Sequence, residues 1–240
     1  MTQENVWERE YRNSKLLTKE NKPQSDVVRF VKWLKKDLLA LTSREQAGQK
    51  FDIENSQVLD LGSGTGRNSF YFAEMGAKVT GFEISKTAIE IANKNAEKSN
   101  LDIKYKKQSI GEEFILENGS IDIVLDVTSS NSLAESEREV YLSETSRVLK
   151  NGGYFFVKAL CKNGDENAKF LLKNHPGKEK DTYVMPGLGV TERVWSKEDF
   201  VSTYEKYFKI LHMEKKTSYS RMNDRSYKRN FWLVYLAKVD

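Results

Sequence analysis

Three glycines spaced two apart, Gly62, Gly64 and Gly66, follow an apolar run, Val58-Leu59-Asp60-Leu61, that carries a single acid. Val58, Leu59 and Leu61 read as a buried strand, and the glycines as the tight turn leaving it. The next segment, Ser69 to Met75, is helical in pattern and stops at Gly76, a residue suited to the left-handed turn that closes a helix. A strand, a glycine turn and a helix start bring free backbone N–H groups close to a ligand. The ligand is therefore expected over Gly62, Gly64 and Gly66. A dinucleotide fingerprint needs G-x-G-x-x-G, but here Arg67 holds the third position and the glycines run G-x-G-x-G. Asp60, two residues before the turn, would repel a pyrophosphate and suits a cationic ammonium or sulfonium. A second apolar strand, 77–82, ends at Glu83, whose carboxylate can accept both hydroxyls of a ribose.

These residues resemble the class I S-adenosylmethionine-dependent methyltransferases. Val58-Leu59-Asp60-Leu61-Gly62-Ser63-Gly64-Thr65-Gly66 is similar to that family's first motif, and Val79-Thr80-Gly81-Phe82-Glu83-Ile84-Ser85 to its second. Arg147-Val148-Leu149-Lys150-Asn151-Gly152-Gly153 is similar to its late signature, the end of a helix and the turn into strand five. The resemblance covers residues 56–160 and implies S-adenosylmethionine as cofactor, with S-adenosylhomocysteine as product. It implies cofactor contacts from Asp60, Gly62, Ser63, Gly64, Thr65, Gly66, Asn68, Glu83, Ile84, Ser109, Ile110, Asp126 and Val127.

The elements that must position these residues follow from the pattern around them. Trp7 and Tyr11 lie four apart, on one face of a short helix. They are read either as packing the segment onto the domain or, as in similar small-molecule methyltransferases, as folding over the cofactor. An amphipathic helix capped by Ser25 runs from Asp26 to about Leu41, and 42–55 reads as a polar connection. From Gln57 strands and helices alternate, which implies right-handed crossovers and a parallel sheet. Strands are expected at 57–61, 77–82, 101–106, 121–127 and 154–160, with helices over 67–75 and 86–98. Ser132 to Glu135 reads as a capping box for a helix ending at Leu149.

At the end of strand three, Ser109 stands where the family's adenine-binding acid is usual, so Glu112 or Glu113 is the alternative there. The loop after strand four, Thr128 to Ser132, should face the transferred methyl. Asp126, Ser129 and Asn131 are the catalytic candidates, with no base identified among them. The chain lacks the N-P-P-Y or D-P-P-Y motif, which argues against methylation of DNA amino groups.

Residues 161–193 are polar and long for a connection, which suggests a lid-like insert with His175, Tyr183, Met185 and Arg193 as substrate candidates. Ser196 begins a further helix. Strands at 207–214 and 228–237 should form an antiparallel hairpin, giving seven strands with the last reversed, as in the family. The connection between them carries Lys215, Lys216, Arg221, Arg225, Lys228 and Arg229, with Tyr219 and Tyr227 interleaved. It is read as solvated, as holding an anionic small substrate, or as stacking on RNA.

Together these readings give one α/β domain of 240 residues with a Rossmann-like, seven-stranded, mostly parallel sheet and helices on both faces. Its parts are a helical N-terminal cover (1–50), a cofactor-binding core (56–160), the insert (161–193), and a C-terminal helix and hairpin (194–240). Charge is nearly balanced, 39 basic against 35 acidic residues, with no strong push toward nucleic acid. Two histidines and one cysteine make a metal site improbable, and the lone Cys161 fits a reducing compartment. No apolar run approaches the length of a membrane span and the N-terminus lacks a signal core, so a cytoplasmic location is expected. The function expected is methyl transfer to a small molecule. RNA or protein methylation, or a cofactor-binding partner subunit without turnover, are the alternatives.

Overall fold

The computed structural model describes residues 2–13, 22–41, 51–222 and 225–239. In chain order the elements are α1 (Gln3–Arg12), α2 (Ser25–Leu41), β1 (Gln57–Leu61), α3 (Arg67–Ala73), β2 (Lys78–Glu83) and α4 (Lys86–Lys98). Then come β3 (Ile103–Lys107), β4 (Ile121–Val127), a 3₁₀ turn (Ser130–Ser132), α5 (Glu135–Val148) and β5 (Leu149–Leu160). The chain ends with α6 (Glu166–Asn174), β6 (Thr182–Val184), β7 (Thr191–Arg193), α7 (Lys197–Tyr204), β8 (Phe208–Met222) and β9 (Arg225–Lys238).

One sheet of seven strands runs β3-β2-β1-β4-β5-β9-β8. The five strands from β3 to β5 are mutually parallel, and β9 lies antiparallel to both β5 and β8. The topology is the expected one. The order reverses between β1 and β4, so loops after these strands open a crevice at the carboxyl edge.

Alternation along each strand sends side chains to two packed faces. Val58, Ile123, Leu125, Phe156 and Tyr235 pack with α2 and α3 on one face. Leu59, Leu61, Phe82, Val124 and Phe155 pack with α5 and α7 on the other. The same period places Asp60 on the α3 side, where the Ser69 hydroxyl donates to it at 2.6 Å. On that face Phe30 of α2 is fully buried, its ring centroid 5.2 Å from Phe156 and 5.0 Å from Tyr235. Burying such a ring contributes about 2 kcal/mol.

Several local expectations shift. Helix α2 starts at Ser25 itself, with Gln24 O accepting from Val27 N and Val28 N. The capping of α5 lies two residues later than Ser132: Glu137 accepts from Ala134 N at 2.7 Å, because Ser130–Ser132 are used in the 3₁₀ turn. The Ser196 cap holds, accepting from Asp199 N. Residues 215–222 and 225–229 are strand, not loop, since β8 and β9 stay paired from Phe208↔Lys238 to Met222↔Arg225.

The 161–193 segment is ordered structure. Its α6, β6 and the turn between β6 and β7 bury Ala168, Leu171, Tyr183, Met185, Leu188 and Val190 in the main core. Asp165 anchors it by capping Ala168 N and accepting from Arg229 Nε and Asn230 N of β9. Cys161, fully buried, bridges to Trp195, and burial pushes its thiol up to about 11. Among the described residues no helix is long and apolar enough to cross a membrane. The 42–50 part of the polar connection lies outside the described residues.

Candidate active site

Helix α1 lies across the carboxyl edge of the sheet. Its N-cap is Thr2, whose hydroxyl accepts from Asn5 N. Glu8 latches one side: its carboxylate accepts from the Ser85 hydroxyl at 2.7 Å, the Thr87 hydroxyl at 2.6 Å and Thr87 N at 3.2 Å, at the start of α4. Burial pushes Glu8 up, but these donors and Arg12 outweigh it and hold the carboxyl near 2. On the other side Arg9 donates to Leu188 O, and Gln3 Nε2 to Thr191 O.

Beneath α1 is a cavity of about 870 Å³. Of the residues expected at the cofactor, Trp7, Tyr11, Asp60, Gly62, Ser63, Gly64, Thr65, Asn68, Glu83, Ile84, Ser109, Ile110 and Val127 all line it. Two do not. Gly66 sits below the turn, where a Cβ would strike the Tyr105 hydroxyl and the Phe70 ring. Asp126 is fully buried and faces away, accepting from Ser129 N at 2.8 Å, Ser130 N at 3.2 Å and Tyr141 Oη at 2.7 Å.

The turn is shaped for close approach. Gly62 has φ +66° with the Ser129 side chain occupying the place of a Cβ, and Gly64 has φ +56° with the Tyr11 hydroxyl 2.6 Å from that place. Glu83 accepts from Gly64 N at 2.9 Å, Ile84 N at 2.8 Å and Ser85 N at 2.9 Å. Burial pushes its carboxyl up, against these three donors. Burial also pushes Asp60 up, to about 6, although Ser69 and Arg67 oppose it.

Of the catalytic candidates, Ser129 lines the cavity, its hydroxyl directed at Gly62 O. Asn131 does not; it is buried with both ends bonded, donating to Thr128 O and accepting from Leu160 N. The four substrate candidates lie elsewhere. Tyr183 is fully buried between Glu192 and Arg229, and Met185 is in the core. Arg193 pairs with Glu135 and stacks on Trp195 at 3.9 Å, while His175 is exposed beside Phe170. The polarity of Tyr183 and Arg193 serves to tie the insert to its neighbours, a role the sequence pattern does not separate from binding. Glu112 lines the cavity, whereas Glu113 does not and offers its carbonyl to Gln108 Nε2.

Thr128 and Ser132, in the loop expected to face the methyl, also line the wall, and residues the sequence reading did not place there complete it: Gln3, Gln24, Arg67, Gln108, Leu133 and Glu137 among them. Nothing local marks these six, because the tertiary approach of neighbouring segments brings them in. Four buried oxygen or hydroxyl atoms in this wall have no hydrogen-bond partner: Gln3 Oε1, Ser63 Oγ, Gln108 Oε1 and Ser132 Oγ. The basic stretch on the hairpin is partly consumed. Lys216 pairs with Asp26, and Arg229 is buried against Asp165 and Tyr183, which leaves Lys215, Tyr219 and Lys228 exposed. The side chains of Arg221 and Arg225 lie outside the described set. Among the described residues no cluster of three or more His, Cys, Asp or Glu could hold a metal.

A family model described as a methyltransferase domain matches residues 58–153. An uncharacterised methyltransferase of Schizosaccharomyces pombe is 33% identical over 107 residues, which are 44% of this chain and 72% of that protein. A ubiquinone biosynthesis O-methyltransferase of Pelagibacter ubique is 31% identical over 110 residues, 46% of this chain and 44% of that enzyme. The match thus spans less than half of the latter's length. A solved SAM-dependent methyltransferase from Methanosarcina mazei superposes with a TM-score of 0.70 at 22% identity, covering 78% of this chain and 93% of that one. With the first two sequence motifs at the carboxyl edge of this sheet and the third at the start of β5, the chain belongs to the class I S-adenosylmethionine-dependent methyltransferases.

Proposed function

We propose that this chain binds S-adenosylmethionine between α1 and the ends of β1, β2 and β4, and transfers its methyl group to a small molecule held in the same cavity. The observation that carries the reading is the roof. Helix α1, tied down by Glu8 on one side and by Gln3 and Arg9 on the other, covers the glycine turn instead of leaving an open groove. The resulting volume, about 870 Å³, suits a small ligand.

The residues present fit the cofactor. Glu83 has three lone-pair positions taken by N–H donors and one left to accept from a ribose hydroxyl. Ser63 Oγ and Gln108 Oε1 are buried in the wall without partners, as expected of groups that a polar ligand satisfies. Asp60 supplies negative charge beneath the turn. When bound, the cofactor supplies a methyl group already activated by its sulfonium.

The chain's part is then to position and shield. Asp126 fixes the backbone of Ser129 and Ser130, and so the height of the Ser129 hydroxyl over Gly62. Trp7 and Tyr11 cover the cavity and displace water from it. Holding the acceptor in line is the main source of rate enhancement for such a transfer.

Radiolabelled S-adenosylmethionine, incubated with purified protein and cell extract, tests this. Label in a nuclease- and protease-resistant small-molecule fraction supports it. Label in RNA or protein overturns the acceptor assignment, and cofactor binding without transfer to any fraction points to a partner subunit.

A further inference from the structure

Gln3 and Ser132 are brought to the same wall by different routes. Gln3 stands on the first turn of α1 and is tied to Thr191 O of β7; β7 in turn packs on the 3₁₀ turn that ends in Ser132. Both line the cavity, with Leu133 and Val127 as apolar residues of the same lining. Gln3 Oε1 and Ser132 Oγ are buried and unpartnered. Because Gln3 Nε2 is held by a carbonyl, its amide cannot turn over without setting two oxygens against each other, so Oε1 is fixed as an acceptor. An unmet buried acceptor is costly unless a ligand group donates to it.

Charge narrows the choice. Glu4, Asp60, Glu83, Glu112 and Glu137 line the cavity, against Arg67 as the single basic residue in the described lining. Cations outside the lining are engaged elsewhere: Arg138 donates to Ser130 O and Leu133 O and pairs with Glu135, Lys107 pairs with Glu4, and Lys158 and Lys216 are both turned onto Asp26. A carboxylate or phosphate entering this wall would meet five acids and an acceptor oxygen, with Arg67 the one cation in the described lining to offset them.

We propose that the methyl acceptor is a compact, apolar-bodied molecule that donates a hydrogen bond to Gln3 Oε1 and carries no negative charge, excluding carboxylate and phosphate acceptors. This rests on the cofactor reading above.

The test uses the full chain saturated with S-adenosylhomocysteine and four small probes followed by calorimetry or ligand-observed NMR. The probes are benzimidazole, 1-methylbenzimidazole, benzoate and phenyl phosphate. Benzimidazole is expected to bind about tenfold tighter than its N-methyl counterpart and than either anion. Gln3→Leu should bring the benzimidazole to 1-methylbenzimidazole ratio close to one, and Ser132→Ala should weaken benzimidazole on its own account. S-adenosylhomocysteine affinity reports whether each variant is folded. Equal or tighter binding of benzoate or phenyl phosphate overturns the inference, as does a ratio untouched by Gln3→Leu, or no binding of benzimidazole to the loaded protein. If S-adenosylhomocysteine itself does not bind wild-type protein, the cofactor reading fails first and this inference with it.

Discussion

The Tyr11 hydroxyl occupies the space into which a side chain on Gly64 would grow, 2.6 Å from the position of a Cβ. The first covering helix and the glycine turn are therefore fitted to each other. Gly64 also has φ +56°, which other residues adopt at a cost. Gly64→Arg should abolish S-adenosylhomocysteine binding, and Gly64→Ala should weaken it by more than about tenfold. Calorimetric titration checks both; normal binding by Gly64→Arg would show that the cofactor lies elsewhere.

Asp60 links cofactor charge to pH. Its folded value, about 6, lies above the ordinary aspartate value of 3.8, so the folded protein holds a proton that the unfolded chain has released between these limits. That contribution to stability is present below the lower limit and is lost as pH rises through about 6, roughly 3 kcal/mol in all. Ligand binding should respond in the opposite sense. The ionised carboxylate attracts a sulfonium, so affinity for S-adenosylmethionine should fall as pH drops from 7 to 5, and fall more than affinity for the uncharged thioether of the product. Asp60→Asn should remove this difference in slope.

Glu8 should control how long the cofactor stays. Its bonds to Ser85 and Thr87 hold α1 on α4. A carboxyl depressed to about 2 keeps its contribution at all pH values above its ordinary range and loses it only on strong acidification. Glu8→Gln should speed S-adenosylhomocysteine release about fivefold, and do so equally from pH 5 to pH 9. Stopped-flow displacement measures this; a rate change confined to one end of that range would count against the latch.

Asp126 should act through structure. Removing its carboxylate in Asp126→Ala strands three buried donors, at a cost of roughly 3 kcal/mol. Asp126→Asn, which keeps one acceptor oxygen, should cost less and retain an unaltered shape of the pH–rate profile. Loss of one limb of that profile would instead mark Asp126 as a proton acceptor.

The cofactor end was readable because its signals are local. Val58 to Gly66 and Glu83 are each a strand end and a turn, and both depend on residue type at fixed spacing. The reversed β9 was also readable, since too few residues separate it from β8 for a helical crossover. The rest of the wall was readable only in part: the 128–132 loop with Ser132 was expected there, but Gln3 is fixed by a contact with Thr191, 188 residues away, and belongs to no periodic pattern. Tyr183 and Arg193 misled for the converse reason. A polar residue bound into a buried network looks, in sequence, like one reserved for a ligand.

The buried Cys161 has a practical consequence. Held inside the sheet edge and protonated at neutral pH, the only thiol of the chain should resist alkylating dyes. A cysteine introduced at the exposed Asn5 of α1 would then be the sole reactive handle, with no other residue to remove. A fluorophore attached there would let the opening and closing of the roof be watched in solution on an otherwise unaltered protein.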